Sequence, residues 1–204
     1  MIAFFFDQYK SYPNYLIAME LIAVVFGIIS VLFAWKNNIL VYPTGLVSTI
    51  LYVYILFEFQ LYGDLIINFY YSIMSIVGWY LWSKTKNGQK EFPISTINRN
   101  EIITSTIIFT ITLAFVVCVY YFFDKFTHWT AHVDALTTAL FFVGMWLMAK
   151  RKVENWLIWI IADVISVPLY FYKGLVFSSF QFSIFTIIAL LGYIEWKKFL
   201  PKRM

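Results

Sequence analysis

The sequence predicts an all-α integral membrane protein of seven transmembrane helices, arranged as a 3+1+3 parallel repeat. Three observations predict it. Of 204 residues, 62% are hydrophobic and 13% are charged; a soluble domain carries about 25% charged residues, so the polar surface of a soluble globule is missing. Seven continuous apolar stretches each reach the roughly 20 residues that cross a bilayer core as a helix. The chain also resembles itself at an offset of 114 residues. The same composition excludes disorder, which needs low hydrophobicity and high net charge. A single cysteine excludes a disulfide framework and a Cys-based metal cluster. A net charge of +4, spread along the chain, does not indicate nucleic acid as a partner.

The spans are expected at 15–35, 39–59, 62–82, 101–123, 130–149, 153–172 and 175–196. They read as helices because they are continuously apolar, whereas barrel strands run about 10 residues and alternate in polarity. Ahead of them, Met1-Ile2-Ala3-Phe4-Phe5-Phe6 is followed at once by Asp7 and Lys10. With no basic n-region and no long h-region, it reads as an interfacial segment and not as a cleavable signal. Pro43 in the second span and Pro168 in the sixth are expected to interrupt the hydrogen-bond ladder and bend their helices. The 83–100 loop contains Asn87-Gly88 and Pro93 and reads as a flexible linker. Cys118, among apolar residues of the fourth span, reads as inert. Twelve of the fifteen Lys and Arg fall in the 36–38 turn, the 83–100 loop, the 150–152 turn and the C-terminal tail; Lys10, Lys125 and Lys173 fall on the other side. Positive charge stays in the cytoplasm, which puts the N-terminus outside and the C-terminus inside.

The third span ends Gly78-Trp79-Tyr80-Leu81-Trp82-Ser83-Lys84 and the seventh ends Gly192-Tyr193-Ile194-Glu195-Trp196-Lys197-Lys198, 114 residues later. The same step carries Glu20 to Asp134 and Ala34-Trp35-Lys36 to Met148-Ala149-Lys150. Residues 15–82 and 130–196 therefore read as one three-helix unit used twice, joined by a connector helix at 101–123 within a single transmembrane domain. An odd connector gives both units the same orientation, the parallel-repeat design in which a substrate sits near the midplane between the halves. Recurrence of Trp and Tyr at interfaces by chance is the competing explanation.

At these residues the sequence resembles the PnuC family of vitamin transporters. Tyr62-Gly63-Asp64, Asn68-Phe69-Tyr70-Tyr71 and Gly78-Trp79-Tyr80-Leu81-Trp82 are similar to the family's third span. Glu154-Asn155-Trp156, Trp159-Ile160, Asp163 and Pro168-Leu169-Tyr170 with Lys173-Gly174-Leu175 are similar to its sixth, and Asp134-Ala135 with Thr137-Thr138 to the start of its fifth. The resemblance covers nearly the whole chain and is weakest at 83–125. It implies a SWEET-like 3+1+3 arrangement. It also implies uptake of nicotinamide riboside, or in sister branches thiamine or riboflavin, by facilitated diffusion.

An ionisable side chain in a span costs about 2.5–3.5 kcal/mol on insertion scales, so each one asks for a role. Asp163 lies in the middle of the sixth span. Asn155, Trp159, Asp163, Ser166 and Tyr170 share one helical stripe, polar and aromatic where the rest of the helix is aliphatic. Asp163 either ties helices together through a neighbouring hydroxyl or faces a cavity, where a carboxylate favours a cationic ring. Some family members carry a neutral Asn near this position, which leaves the choice of vitamin open. The third span has a second stripe of Asp64, Asn68, Tyr71 or Ser72, Ser75 and Trp79, and the seventh span offers Gln181. The amides of Asn68 and Gln181 suit a carboxamide or ribose hydroxyls, or else bond between helices. Trp159 is a candidate for stacking on a planar cation. Tyr42, Ser48, Thr49 and Tyr52 are the weakest candidates and read rather as core packing. Trp35, Trp79, Trp82, Trp156 and Trp196 read as interfacial anchors. Glu20 and Asp134 are candidates for an outer vestibule or gate, with snorkelling to the interface as the alternative. Asp64 reads as solvated or as a helix cap. His128 and His132 have metal-ligand spacing but no third ligand.

These observations favour a transporter. The chain has no Walker loop and no HExxH, and it lacks the intramembrane histidine, Ser/Lys or Asp/Asp pairs that an intramembrane enzyme needs. No cofactor is expected. The expected partners are the lipid bilayer of a bacterial cytoplasmic membrane and a small molecule, nicotinamide riboside first and thiamine second. Net uptake would require trapping by a cytoplasmic kinase. A vitamin-binding subunit for a separate ATPase is the remaining rival, and association with further copies of the chain is left open.

Overall fold

The computed structural model describes residues 13–58, 62–86, 89–122, 129–172 and 176–200. It contains seven long helices: α1 (Asn14–Trp35), α2 (Val41–Glu58), α3 (Tyr62–Ser83), α4 (Arg99–Phe122), α5 (Thr130–Ala149), α6 (Glu154–Tyr172) and α7 (Val176–Lys197). Each is long and apolar enough to span a membrane. A two-residue hairpin, β1 (Thr85–Lys86) with β2 (Gln89–Lys90), follows α3.

Helix packing has a simple order. α1 packs on α2 and α2 on α3, while α5 packs on α6 and α6 on α7. The two groups meet where α1 touches α7 and where α3 touches α5, and α4 lies against α5. The extra cover makes α5 the most buried helix, with eleven described residues buried against four in α1. Ala131, Ala135, Ala139, Gly144 and Ala149 supply the small surface that close helix approach in a membrane requires.

The helix ends carrying the basic turns are closed by one buried cluster. Tyr42, Trp82, Trp156 and Trp196 are its rings, with Met74, Met145, Met148 and Ile94 around them. The Trp82 Nε1–H donates to the carbonyls of Met148 (3.3 Å) and Ala149 (3.2 Å), and the Trp196 Nε1–H donates to that of Ala34 (3.0 Å). Each indole thus donates to carbonyls at the end of a helix in the opposite group. This corrects the reading of Trp82, Trp156 and Trp196 as interfacial anchors: they are 3%, 2% and 0% exposed. Trp79 does face outward, so the α3 stripe turns at this point onto Gly78 and Trp82, which face inward. At Gly78 an added Cβ would lie 2.2 Å from the Tyr42 ring, and at Gly192 it would lie 2.6 Å from that of Trp156.

α1 and α5 end alike. Asn37 (φ 50°) and Arg151 (φ 54°) take the left-handed conformation. Asn37 N–H reaches the Ala34 carbonyl and Asn38 N–H that of Phe33; Arg151 N–H reaches Met148 and Lys152 N–H reaches Leu147. Both are Schellman caps, which satisfy the last carbonyls of a helix.

The loop after the hairpin is docked and not a free linker. Ser95 N–H donates to the Arg151 carbonyl and Val153 N–H to that of Ser95, Ile94 is buried, and Lys152 pairs with Glu101 at 2.9 Å. Asn98 and Glu101 cap α4 reciprocally, each side chain accepting from the other's backbone N–H. Arg151 is buried over the Trp82 ring at 4.0 Å and donates to the Phe92 carbonyl; burial lowers its guanidinium to about 10, so it stays charged at neutral pH. Pro43 falls in the first turn of α2, where no ladder bond is lost, so only Pro168 interrupts a helix interior. Cys118 is exposed on α4.

Candidate functional site

The stripe on α6 faces inward. Asn155, Asp163 and Ser166 are 0%, 1% and 0% exposed and Trp159 and Tyr170 are half-buried, whereas Leu157, Ile161, Val164 and Phe171 are exposed. A helix with one polar stripe turns it away from lipid because no solvent there can satisfy it. Neither carboxylate oxygen of Asp163, nor the Ser166 hydroxyl, has a hydrogen-bond partner among the described residues. Leaving one buried polar group unsatisfied costs about 1–3 kcal/mol, and here two neighbouring ones are left so at midspan.

Aromatic side chains of α3, α5, α6 and α7 pack on one another in this part of the bundle. Tyr71 of α3 lies within Coulombic range of Asp163 and Tyr170. Tyr70 stacks on Phe142 of α5 with ring centroids 3.8 Å apart, and its hydroxyl donates to the Phe142 carbonyl. Trp159 packs on Phe141 at 5.5 Å, Phe141 stacks on Phe182 of α7 at 5.9 Å, and Phe182 meets Tyr170 at 4.9 Å. Four helices, α3, α5, α6 and α7, thus bring a carboxylate and a set of rings together. The arrangement can hold a flat cation, by charge at one side and by ring faces at the other.

The other candidates are placed as follows. Asn155 sits in the first turn of α6, where its Nδ2 donates to the Lys152 carbonyl; it lies two turns from Asp163, at the closed end. Ser72 Oγ is 2.8 Å from Thr49 Oγ1 and 3.0 Å from the Asn68 carbonyl, a bond between α2 and α3. Asn68 is half-buried on α3 and Gln181 half-buried on α7 beside Phe182. Glu20 on α1 and Asp134 on α5 are half-buried. Ser48 bonds the Ala23 carbonyl between α1 and α2, and Tyr42 belongs to the closing cluster. The Asp64 side chain and His128 lie outside the described residues, and His132 is exposed. Sequence reasoning missed Phe141, Phe142 and Phe182. A signal for Phe182 was present, since it stands 114 residues from Asn68.

Comparisons with known proteins agree with this architecture. Residues 17–198 match the family model described as nicotinamide mononucleotide transporter. The nicotinamide riboside transporter PnuC of Escherichia coli is 27% identical, with 87% of this chain and 84% of that protein covered. The riboflavin/roseoflavin transporter RibM of Streptomyces davaonensis is 23% identical over 93% of this chain and 89% of its own length. The crystal structure of the vitamin B3 transporter PnuC superposes with a TM-score of 0.67 at 22% identity, covering 97% of this chain and 86% of that one, so the fold is shared. The match to the family model over nearly the full chain shows that this protein belongs to the nicotinamide mononucleotide transporter family, the family of PnuC.

Proposed function

We propose that this protein carries nicotinamide riboside into the cytoplasm by facilitated diffusion. The observation that carries the reading is Asp163, a buried midspan carboxylate without a partner among the described residues, on the same face of α6 as the Trp159 and Tyr170 rings. A pyridinium nucleoside supplies the fixed positive charge and the flat ring that such a site favours. Riboflavin, the substrate in the name of one relative, offers a neutral ring with no fixed positive charge to pair with the carboxylate. The mononucleotide would bring a phosphate to a bundle whose spans have no Lys or Arg between their terminal residues. Thiamine is also a cation and is the second choice. Asn68 and Gln181 supply amides for the carboxamide or ribose, and Tyr170 and Ser72 complete the polar lining.

The mechanism follows a parallel repeat in which α1–α3 and α5–α7 rock about the site. Its support is the offset of 114, which relates the two left-handed caps, the pair Trp82 and Trp196 with their helix-end acceptors, and the contacts of α1 with α7 and α3 with α5. The basic turns support a cytoplasmic position for the closed end, which makes the tryptophan cluster the inner gate in this reading. Glu20 and Asp134 stand toward the opposite, outer end and attract cations there. Without a coupling ion or ATP, accumulation depends on phosphorylation of the product by a cytoplasmic kinase.

Purified protein should be stabilised against heat by nicotinamide riboside, less by thiamine and not by riboflavin, since a ligand of the native state raises apparent stability. Proteoliposomes should equilibrate labelled nicotinamide riboside without a gradient. Uptake that stops when sodium and proton gradients are abolished defeats the facilitator reading, and stabilisation by riboflavin alone defeats the substrate.

A further inference from the structure

The site described above depends on where the Trp159 ring stands, and one residue on the neighbouring helix controls that. Gly144 is buried on α5, facing α6. A Cβ built there would lie 3.1 Å from Trp159 Nε1, 3.3 Å from Cε2 and 3.4 Å from Cδ1. These are inside the roughly 3.5–4.0 Å at which non-bonded carbon atoms are best separated. The indole edge therefore rests on the bare backbone of α5, with Phe141, one turn earlier on the same face, packed against it.

The other half of the chain contains the same contact with the sizes exchanged. A step of 114 residues takes Ser30 to Gly144 and Gly45 to Trp159. There the glycine is on the second helix and the larger residue on the first: a Cβ at Gly45 would lie 2.9 Å from Ser30 Oγ. Thr49 stands where the second half has Asp163. Each half thus keeps one bare position at this crossing, and only the second half uses the room for a ring, next to its only midspan carboxylate. Trp159 and Asp163 are four residues apart, so their Cβ atoms stand about 5–6 Å from each other on one helix face. A planar group stacked on the indole is then within reach of the carboxylate.

We infer that Gly144 is a specificity-determining positioning residue: by letting Trp159 seat against the α5 backbone, it sets the width of the slot between the indole and Asp163 and admits a single-ring cationic nucleoside. This rests on the reading of Trp159 and Asp163 as ligand-binding groups. Any side chain at residue 144 moves the ring off α5 and narrows or tilts the slot.

The test is binding of nicotinamide riboside to purified Gly144→Ala, Gly144→Val and Trp159→Leu proteins, with melting temperature as a check of folding. Gly144→Ala should keep or raise the melting temperature, because Ala is the better helix former, and should bind more weakly. Gly144→Val should lose about 100-fold, the scale of a 1 Å misplacement. In a Trp159→Phe background the added methyl of Gly144→Ala should cost less than it does in the wild type, because the smaller ring has room to yield. Wild-type affinity in a folded Gly144→Ala protein, or equal cost of the methyl in both backgrounds, overturns the role of Gly144. If Trp159→Leu and Asp163→Asn also bind normally, it is the reading of the site that fails.

Discussion

Asp163 is buried at midspan with no hydrogen-bond partner among the described residues, and its two consequences point in opposite directions. Asp163→Asn removes a buried carboxylate that costs about 2.5–3.5 kcal/mol on insertion scales, so the ligand-free protein should melt at the same temperature or higher. The same change should weaken binding of a cationic ligand by about 10- to 100-fold, since an interaction with a charged group contributes roughly 1.5–3 kcal/mol. Melting curves with and without nicotinamide riboside measure both. A variant that is destabilised yet still binds would make Asp163 a structural residue. The stripe that holds it was legible in the sequence because steps of three and four on an otherwise aliphatic helix leave no doubt about which face turns inward. What surrounds it was not legible. Phe141, Phe142 and Phe182 look like any lipid-facing phenylalanine in a chain with 22 of them, and only contacts between different helices select these three.

At the scale of the element, helix ends carry more information than helix middles. Asn37 and Arg151 occupy equivalent left-handed caps but fill them differently. A left-handed residue with a side chain is strained by about 1–2 kcal/mol relative to Gly, and Asn less than most. Asn37→Gly should therefore leave the melting temperature unchanged or slightly raised. Arg151→Gly relieves the same strain but loses the stack on Trp82 and the bond to Phe92, and frees the loop that docks there, so it should be destabilising. If both substitutions stabilise equally, the docking of residues 91–98 contributes nothing. Span positions were readable from hydropathy alone. The docked loop was not, because Gly and Pro mark a chain reversal whether or not tertiary bonds hold it. The α4 cap was readable in principle: Asn98 and Glu101 stand at the spacing of a capping box ahead of an apolar run.

For the whole molecule, the question is how the basic end stays shut. Two indole N–H groups cross between the helix groups, one in each direction. Interhelical hydrogen bonds in membranes are worth about 0.6 kcal/mol on average, so the pair biases the closure without locking it, as the proposed gate requires. Trp82→Phe and Trp196→Phe keep a ring and remove the donor. Each should raise backbone hydrogen exchange in residues 38–42 and 152–156, and the double variant more than either single one. Unchanged exchange in the double variant would mean that packing alone closes this end.

The sequence by itself determined the number of spans, the inward face of α6 and the 114-residue offset. These follow from local quantities: hydropathy summed over a window, the helical period and self-similarity along the chain. Tertiary structure decided which residues meet across helices. It turned three tryptophans from expected membrane anchors into a buried closure, docked the 91–98 segment onto the Arg151 turn, and packed rings of α3, α5, α6 and α7 against one another. The physical reason is that a bilayer sorts residues by polarity alone, and an aromatic ring satisfies that sorting equally well against lipid or against another helix. Which of the two it does depends on whether a carbonyl, a glycine or another ring stands opposite, and that is settled only when the helices pack.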